Sequence, residues 1–275
     1  MDRSVIQLFR CPICHEGMTV TADAKVCRCR GAKPHCYDFA RSGHLHLGGP
    51  HAGEGDSKDA IQARRAFLEA GYYQPLSDAV NDMLDRISAK TVLDAGCGEG
   101  YYTNRMATDD RAVLGIDLSR AGVEAAAKRA RQLGSRTGFA VASIFALPVQ
   151  NASLDAVTNL FAPCAEEEFL RVLKPNGYLI LVGAGERHLM GLKQVIYDNP
   201  YFNPGRADLP KSMKEVEHQR LHTEITVNGQ DMIEALFSMT PYYWRTSKAD
   251  RAKLEALDTL TTEIDFDIFL FRKGL

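Results

Sequence analysis

The sequence lacks long hydrophobic runs and a strong net charge. None of its 275 residues falls in an apolar run that approaches 18, the length that a membrane-spanning helix needs. The first ten residues lack the apolar core of a signal peptide, so we expect a cytoplasmic protein with no membrane partner. The formal net charge is only −2, which excludes a global basic field that would attract polyanions.

Basic residues and cysteines are concentrated near the N-terminus. Residues 1–50 contain seven Lys and Arg against four Asp and Glu, so this part is the better candidate surface for a polyanion. Five of the seven cysteines lie within residues 11–36. A segment of this length with so few large apolar residues builds little core and needs a crosslink. Without an export signal, metal ligation is favoured over disulfides.

The cysteine spacing predicts a small zinc-ribbon-like module over residues 1–50. Cys11-Pro12-Ile13-Cys14 is a C-x2-C knuckle, and a second group of Cys and His residues follows it. Thiolates from two facing loops form the closed tetrahedral site that structural Zn²⁺ prefers. The preferred ligands are Cys11, Cys14, Cys27 and His35. Cys29 and Cys36 are alternatives that spacing does not exclude, and a set of unliganded buried thiols is the alternative to a metal site.

A glycine-rich loop predicts a site for S-adenosylmethionine. A short apolar strand runs into Asp94-Ala95-Gly96-Cys97-Gly98-Glu99-Gly100, and the next strand ends at Asp117. A dinucleotide site uses G-x-G-x-x-G, whereas the third glycine comes early here. Carboxylates at Asp94 and Glu99 would repel a pyrophosphate but suit an ammonium and a sulfonium. We expect Gly96 and Gly98 to approach the methionine part and Asp117 to contact the ribose. The alternative is a tight turn without a ligand.

Strand and helix patterns alternate through the rest of the chain. They predict an α/β fold, a doubly wound and mainly parallel sheet, with an antiparallel strand in the tail at 264–272. A glycine-rich stretch at 48–57 is interpreted as a linker, which divides the chain into residues 1–50 and 51–275. Helices are expected at 58–70, with Asp56 or Ser57 as N-cap, and from Pro75 to 88. The other predictions are strands at 91–95, 112–117, 137–142, 154–161 and 177–183, and helices at 100–108, 119–133 and 164–173.

Over nearly its whole length the chain resembles the 23S ribosomal RNA (guanine-N1) methyltransferases. The motifs that carry this resemblance are the Cys11–Cys14 knuckle, the glycine loop and segments 55–57, 62–68, 70–76, 161–164, 171–177 and 187–190. The resemblance implies a class I S-adenosylmethionine-dependent enzyme with an N-terminal zinc-binding domain. Its substrate would be guanine N1 in a hairpin loop of large-subunit RNA, not DNA. The rival interpretation is a small-molecule methyltransferase with a structural zinc lid.

The resemblance also nominates residues outside the glycine loop. Tyr73, Gly98, Glu99 and His188 match positions that the family uses around the cofactor. The bland alternatives are a core aromatic for Tyr73 and a surface histidine for His188. The loop between Cys27 and His35 is longer than the family pattern, which leaves the third and fourth zinc ligands open. A homodimer is also left open.

The segment Asn159-Leu160-Phe161-Ala162-Pro163-Cys164 is the expected acceptor side of the site. It is not an N-P-P-Y sequence of the type found in amino-directed enzymes, and it is compatible with a ring-nitrogen target. We predict that Asn159 and Phe161 lie near the acceptor and that Phe161 stacks on an extruded base. Cys164 is interpreted as a buried thiol. Glu166 or Glu167 is the candidate acceptor of the guanine proton. Lys58, Arg64 and Arg65 form a basic helix face that is predicted to bind RNA; the alternative is a solvent-exposed face without a partner.

Overall fold

The computed structural model describes residues 3–23, 25–49 and 57–274. Most of the expected linker, including the alternative cap Asp56, lies outside the described residues. The described helices are α1 (Arg3–Ile6), α2 (Lys58–Glu69), α3 (Gln74–Arg86), α4 (Tyr101–Met106), α5 (Arg120–Leu133), α6 (Glu166–Val172), α7 (Met190–Ile196), α8 (Gln230–Ser238) and α9 (Lys248–Glu255). The described strands are β1 (Met18–Val20), β2 (Val26–Cys29), β3 (Cys36–Asp38), β4 (Leu45–His46), β5 (Thr91–Ala95), β6 (Ala112–Asp117), β7 (Thr137–Val141), β8 (Leu154–Leu160), β9 (Leu173–Ala184), β10 (Lys214–Asn228) and β11 (Thr259–Arg272).

The main sheet has the order β10-β11-β9-β8-β5-β6-β7-β4. Strands β9 through β4 in this order are parallel, and β11 and β10 join antiparallel at one edge. The predicted doubly wound, mainly parallel sheet with a late antiparallel strand is therefore confirmed. The carboxyl ends of β5, β6 and β8 meet at one edge, which brings the glycine loop, Asp117 and Phe161 together.

The central strands are buried on both faces, because helices cover the sheet on each side. Val92 packs with α2, α3, α7 and α8 on one face, while its neighbour Leu93 packs with α1 and α6 on the other. Alternate residues of a strand point to opposite faces, so one apolar run supplies both cores. Among the described residues, no helix combines the length and apolarity that a bilayer crossing requires.

The N-terminal residues contribute to both a small sheet and the main sheet. Strands β1, β2 and β3 form a three-stranded antiparallel sheet. Leu45 and His46 of β4 then pair in parallel with Ala140 and Val141 of β7. An isolated bridge also joins Phe9 to Val149. The described N-terminal residues are thus anchored on the main sheet at these two places, and the domain boundary proposed at residue 50 stays a prediction.

Several boundaries differ from the expected ones. Ser57 is the N-cap of α2, since its hydroxyl accepts from the Ala60 N–H at 3.2 Å. Strand β8 ends at Leu160 because Phe161 takes a left-handed conformation with φ of 58°. Strand β9 starts at Leu173, before the expected start at 177. No pattern in the sequence had indicated β10.

Candidate active site and metal centre

The glycine loop needs its glycines for two different reasons. Gly96, Gly98 and Gly100 have φ angles of 88°, 53° and 79°, a region that residues with a Cβ rarely adopt. A Cβ on Gly96 would lie 2.6 Å from the Cβ of Ala162, and one on Gly100 would lie 2.6 Å from that of Ala126. The loop therefore packs directly against the 161–164 segment on one side and against α5 on the other.

Two carboxylates shape the base of this loop. Asp94 is buried and accepts from the hydroxyls of Thr103 at 2.5 Å and Thr158 at 3.2 Å. Burial raises the pKa of Asp94 to about 6 despite these two bonds. Asp117 accepts from the N–H groups of Gly98 at 2.9 Å and Ser119 at 2.7 Å. Each Asp117 oxygen keeps a further lone pair for a ribose hydroxyl, and the expected ribose contact stays a prediction.

Glu99 is the residue whose environment most clearly calls for a ligand. Its side chain is buried, and its Oε1 atom has no hydrogen-bond partner within the described part of the chain. Burial raises the pKa of Glu99 to about 7, and the nearby Arg64 guanidinium partly opposes this rise. A buried carboxylate oxygen without a donor is costly unless a ligand supplies one. The α-ammonium of S-adenosylmethionine is such a donor, so the loop fits this cofactor.

Tyr73 and His188 meet across the site, although they are 115 residues apart in sequence. The Tyr73 hydroxyl lies 3.3 Å from His188 Nε2, and the Asp265 N–H donates to His188 Nδ1 at 3.3 Å. With Nδ1 accepting, the imidazole proton is assigned to Nε2, which donates to Tyr73. Burial lowers the pKa of His188 to about 3, so the ring is neutral at physiological pH. It therefore orients Tyr73 without adding a charge.

An aromatic cluster connects this pair to the acceptor side. The centre of the Phe266 ring lies 4.7 Å from the ring centre of His188, 5.1 Å from that of Tyr73 and 5.4 Å from that of Phe161. Phe161 is 46% exposed, whereas Phe266 is fully buried. Sequence reasoning missed Phe266, since the tail strand showed only an alternating pattern. The structure thus joins Tyr73, His188 and Phe161 through a residue on β11.

Asn159 is held entirely by protein contacts in this structure. Its amide donates to the carbonyls of Ala95 at 3.2 Å and Pro163 at 3.1 Å, and its oxygen accepts from Arg206 Nη2 at 2.9 Å. The side chain is fully buried. Asn159 therefore fixes the 161–164 loop onto β5, and its expected contact with the acceptor stays a prediction.

Arg206 is the second residue that holds this loop, and no motif in the sequence pointed to it. Its guanidinium donates to the carbonyls of Val182 at 2.8 Å and Ala162 at 2.5 Å. It also pairs with Asp208 at 2.6 Å, and Asp208 accepts from the Cys164 N–H at 2.8 Å. Burial raises the pKa of Cys164 to about 11, so this residue remains a thiol.

Four potential metal ligands converge in the N-terminal sheet. The ligand atoms of Cys11, Cys14, Cys29 and His35 all lie within 4.8 Å of one another. Cys14 Sγ is 3.5 Å from Cys29 Sγ, and His35 Nδ1 is 3.6 Å from Cys11 Sγ and 3.5 Å from Cys29 Sγ. Three thiolates and one imidazole match a structural zinc site. The side chains of these four residues therefore fit a structural Zn²⁺ ion.

Cys27 lies outside this group, which corrects the expected ligand set in favour of Cys29. Cys27 is fully buried in the apolar cluster with α1 and β4, and burial raises the pKa of its thiol to about 11. Cys29 stands at the end of β2, where the His35 N–H donates to its sulfur at 3.1 Å. This hydrogen bond lowers the pKa of Cys29 to about 6, which favours the thiolate that a metal requires.

The three residues of the predicted basic face on α2 have different surroundings. Arg64 reaches the glycine loop, since a Cβ on Gly98 would lie 3.9 Å from its Nη1 atom. Arg65 pairs with Glu69 at 3.1 Å, and Lys58 is exposed at the start of the helix. Lys58 is thus exposed and Arg65 is partly exposed, and their contact with RNA stays a prediction.

Comparison with known proteins places this geometry in a family. A family model described as a methyltransferase domain matches residues 87–234. A Bacillus subtilis (strain 168) protein, YxjB, which is provisionally named a 23S rRNA (guanine-N(1)-)-methyltransferase, is 30% identical over 99% of this chain and 100% of its own length. The 23S rRNA (guanine(748)-N(1))-methyltransferase of Streptomyces fradiae is 27% identical over 98% of each chain.

The matches to these two relatives include both the cluster of Cys11, Cys14, Cys29 and His35 and the glycine loop, whereas the family model covers only the glycine loop. The methyl donor of such enzymes is S-adenosylmethionine, and the buried Glu99 carboxylate and glycine loop fit it. The chain belongs to the 23S rRNA (guanine-N(1)-)-methyltransferase family of S-adenosylmethionine-dependent enzymes.

Proposed function

We propose that this protein transfers a methyl group from S-adenosylmethionine to N1 of a guanine in a hairpin loop of 23S ribosomal RNA. The observation that carries the proposal is the position of Phe161. Phe161 follows the last residue of β8 at the carboxyl edge of the sheet. Its half-exposed ring contacts Phe266, which also packs on Tyr73 and His188. A ring at this edge can stack on a base that has left its helix.

The chemistry requires alignment more than a protein nucleophile. The bound cofactor supplies an electrophilic methyl group on a sulfonium. Arg206 and Asn159 hold the 161–164 loop, and Ala162 of this loop packs on Gly96 of the glycine loop. A guanine stacked on Phe161 would therefore be oriented toward the methyl group. Cys164 stays protonated, and methylation of N1 needs no covalent intermediate on the protein.

The surface around this edge suits an RNA partner in the cytoplasm. Arg187, next to His188, places its guanidinium 5.8 Å from the ring centroid of Phe202, and both side chains are about half exposed. Arginine planes and aromatic rings are the groups on which unpaired bases stack. The zinc-binding segment, with its excess of Lys and Arg, would contact the backbone of the same hairpin.

A small-molecule methyltransferase is the second candidate that the sequence allows. Such an enzyme would enclose its acceptor in a closed apolar pocket. The exposure of Phe161 and Phe202, and the charged Arg187 between the cofactor side and the surface, favour an open acceptor site. RNA is therefore the proposed substrate.

Nucleoside mapping tests the proposal directly. Purified protein is incubated with unmodified 23S RNA and methyl-labelled cofactor, and the digested RNA is analysed by mass spectrometry. We expect labelled N1-methylguanosine at one hairpin position. The absence of this nucleoside, with label found in another base or in no RNA at all, would overturn the proposal.

A further inference from the structure

Two adjacent tyrosines on α4 are both partly buried but differ in their surroundings. The Arg105 guanidinium sits 5.4 Å from the centre of the Tyr101 ring. The Tyr102 hydroxyl is buried and has no hydrogen-bond partner among the residues that the structure describes. A buried phenol normally bonds to a protein group or to a ligand. The hydroxyl of Tyr102 is therefore a candidate ligand contact.

Tyr102 lies on α4, two residues after Gly100, the last glycine of the loop, and its hydroxyl is buried there. Its electrostatic neighbours include the carboxylates of Glu99 and Asp94 and the hydroxyl of Tyr73. Burial, together with these groups, raises the pKa of Tyr102 well above its usual value, so the phenol keeps its proton and remains a donor. Asp94 already accepts from Thr103, the next residue of the helix, at 2.5 Å.

The unmet hydrogen-bonding needs of Tyr102 and Glu99 are complementary. Glu99 Oε1 is a buried acceptor without a donor, and Tyr102 Oη is a buried donor without an acceptor. The two atoms do not satisfy each other, although only three positions separate the residues in sequence. A ligand that carries an ammonium and a carboxylate on one carbon would satisfy both, and the amino-acid end of S-adenosylmethionine is such a group.

We propose that Tyr102 binds the cofactor by donating its hydroxyl hydrogen to the α-carboxylate, while Glu99 Oε1 accepts from the α-ammonium. The proposal deepens the proposed function, because it rests on S-adenosylmethionine as methyl donor. It adds to the binding set a residue that neither the glycine pattern nor the family motif had nominated. It concerns the binding of the cofactor and not the choice of RNA.

Calorimetry with two ligands tests the assignment in Tyr102→Phe. S-adenosylhomocysteine retains the amino-acid end, whereas 5′-methylthioadenosine lacks it. We expect the variant to bind S-adenosylhomocysteine about tenfold more weakly, as for loss of one hydrogen bond to a charged group. Its affinity for 5′-methylthioadenosine should stay within twofold of that of the unsubstituted protein. The ligand-free variant should melt no lower, because removal of the hydroxyl leaves no partner unpaired.

Tyr101→Phe is the matched control, since it makes the same chemical change on the adjacent residue and should leave both affinities unchanged. Unchanged affinity of Tyr102→Phe for S-adenosylhomocysteine would overturn the assignment. An equal loss for both ligands would also overturn it, because the defect would then lie in packing of the ring. Failure of the proposed function would be distinct, since the unsubstituted protein would bind cofactor but form no N1-methylguanosine.

Discussion

Glu99 makes cofactor binding depend on pH in a way that can be calculated. Burial raises its pKa to about 7 in the ligand-free protein. An ammonium bound to Oε1 favours the ionised carboxylate, so binding lowers this pKa. Below pH 7 the protein must therefore release a proton before the cofactor binds with full affinity. We expect the dissociation constant of S-adenosylhomocysteine to rise as the pH falls.

The size of the effect follows from the ionised fraction of Glu99. With a pKa of about 7, about nine-tenths of the side chains are ionised at pH 8 and about one-tenth at pH 6. Affinity should therefore fall about tenfold between these two values. The range stops at pH 6 because the pKa of Asp94 is about 6, so this second carboxylate is half protonated there and mostly protonated at lower pH.

Glu99→Gln keeps the shape of the side chain and removes the titration. We expect this variant to bind S-adenosylhomocysteine at least about tenfold more weakly at pH 8, since a charged hydrogen bond is lost. Its affinity should vary little from pH 6 to 8, so the two binding curves converge at the acid end. Isothermal titration calorimetry in buffers of different ionisation heat would measure both the affinity and the proton release.

The same shift has a consequence for the ligand-free protein. A carboxyl whose pKa rises from its usual 4.5 to about 7 contributes stability below pH 4.5, and this contribution is lost as the pH rises through 7. The difference corresponds to about 3 kcal/mol. Without ligand, Glu99→Gln should therefore be the more stable protein at pH 8 in denaturant titrations. A flat affinity profile for the unsubstituted protein, or a ligand-free Glu99→Gln less stable at pH 8, would refute the reasoning.

Three further predictions concern the metal site and the acceptor loop, which is the 161–164 segment. Cys29→Ser should reduce bound zinc, measured by elemental analysis, from about one per chain to near zero, whereas Cys27→Ser should retain zinc. Loss of the metal from both variants alike would contradict the ligand set. Arg206→Gln should lower kcat at least about tenfold while cofactor affinity stays within about twofold, because the 161–164 loop loses the side chain that holds it. Arg206→Lys should not restore the rate, since lysine lacks the planar guanidinium fork. Full activity in either variant would exclude this role. Phe161→Ala should raise KM for RNA about tenfold or more without changing cofactor affinity, as for loss of one base stack, and unchanged RNA kinetics would remove the stacking role.

The geometry of the glycine loop was predictable from sequence because it is local. Gly96, Gly98 and Glu99 occupy one turn between strand β5, which contains Asp94, and helix α4, and such a turn has few alternatives. Asp117 follows at the end of the adjacent strand, as parallel pairing requires. In each of these cases the spacing along the chain determines the position in space.

The rest of the candidate site was less predictable because its contacts connect distant parts of the chain. Arg206 reaches Asn159 from 47 positions away, and Asp265 fixes His188 from 77 positions away. Arg206 lies in a segment without regular secondary structure, so periodicity gave no indication of its role. Strand β10 was missed because an edge strand exposed along most of its length shows no apolar alternation.

The candidate zinc site shows a third kind of difficulty, because Cys27 and Cys29 of one strand were alternatives for the same ligand position. Cys27 and Cys29 are two positions apart and so point to the same face of β2. Spacing alone could not separate them. The distinction comes from the chain reversal that brings the His35 N–H to the sulfur of Cys29, while Cys27 packs into the apolar core.

The two halves of the active site are mechanically joined at Gly96. This residue leaves no room for a Cβ, because Ala162 of the acceptor loop packs on it, and the Ala162 carbonyl accepts from Arg206. The glycine loop, which is the candidate cofactor site, thus packs directly on the loop that carries Phe161. Methyl transfer requires an acceptor in line with the methyl group, and direct contact between the two loops contributes to this alignment together with Arg206 and Asn159. The early glycine pattern therefore serves the acceptor as well as the cofactor.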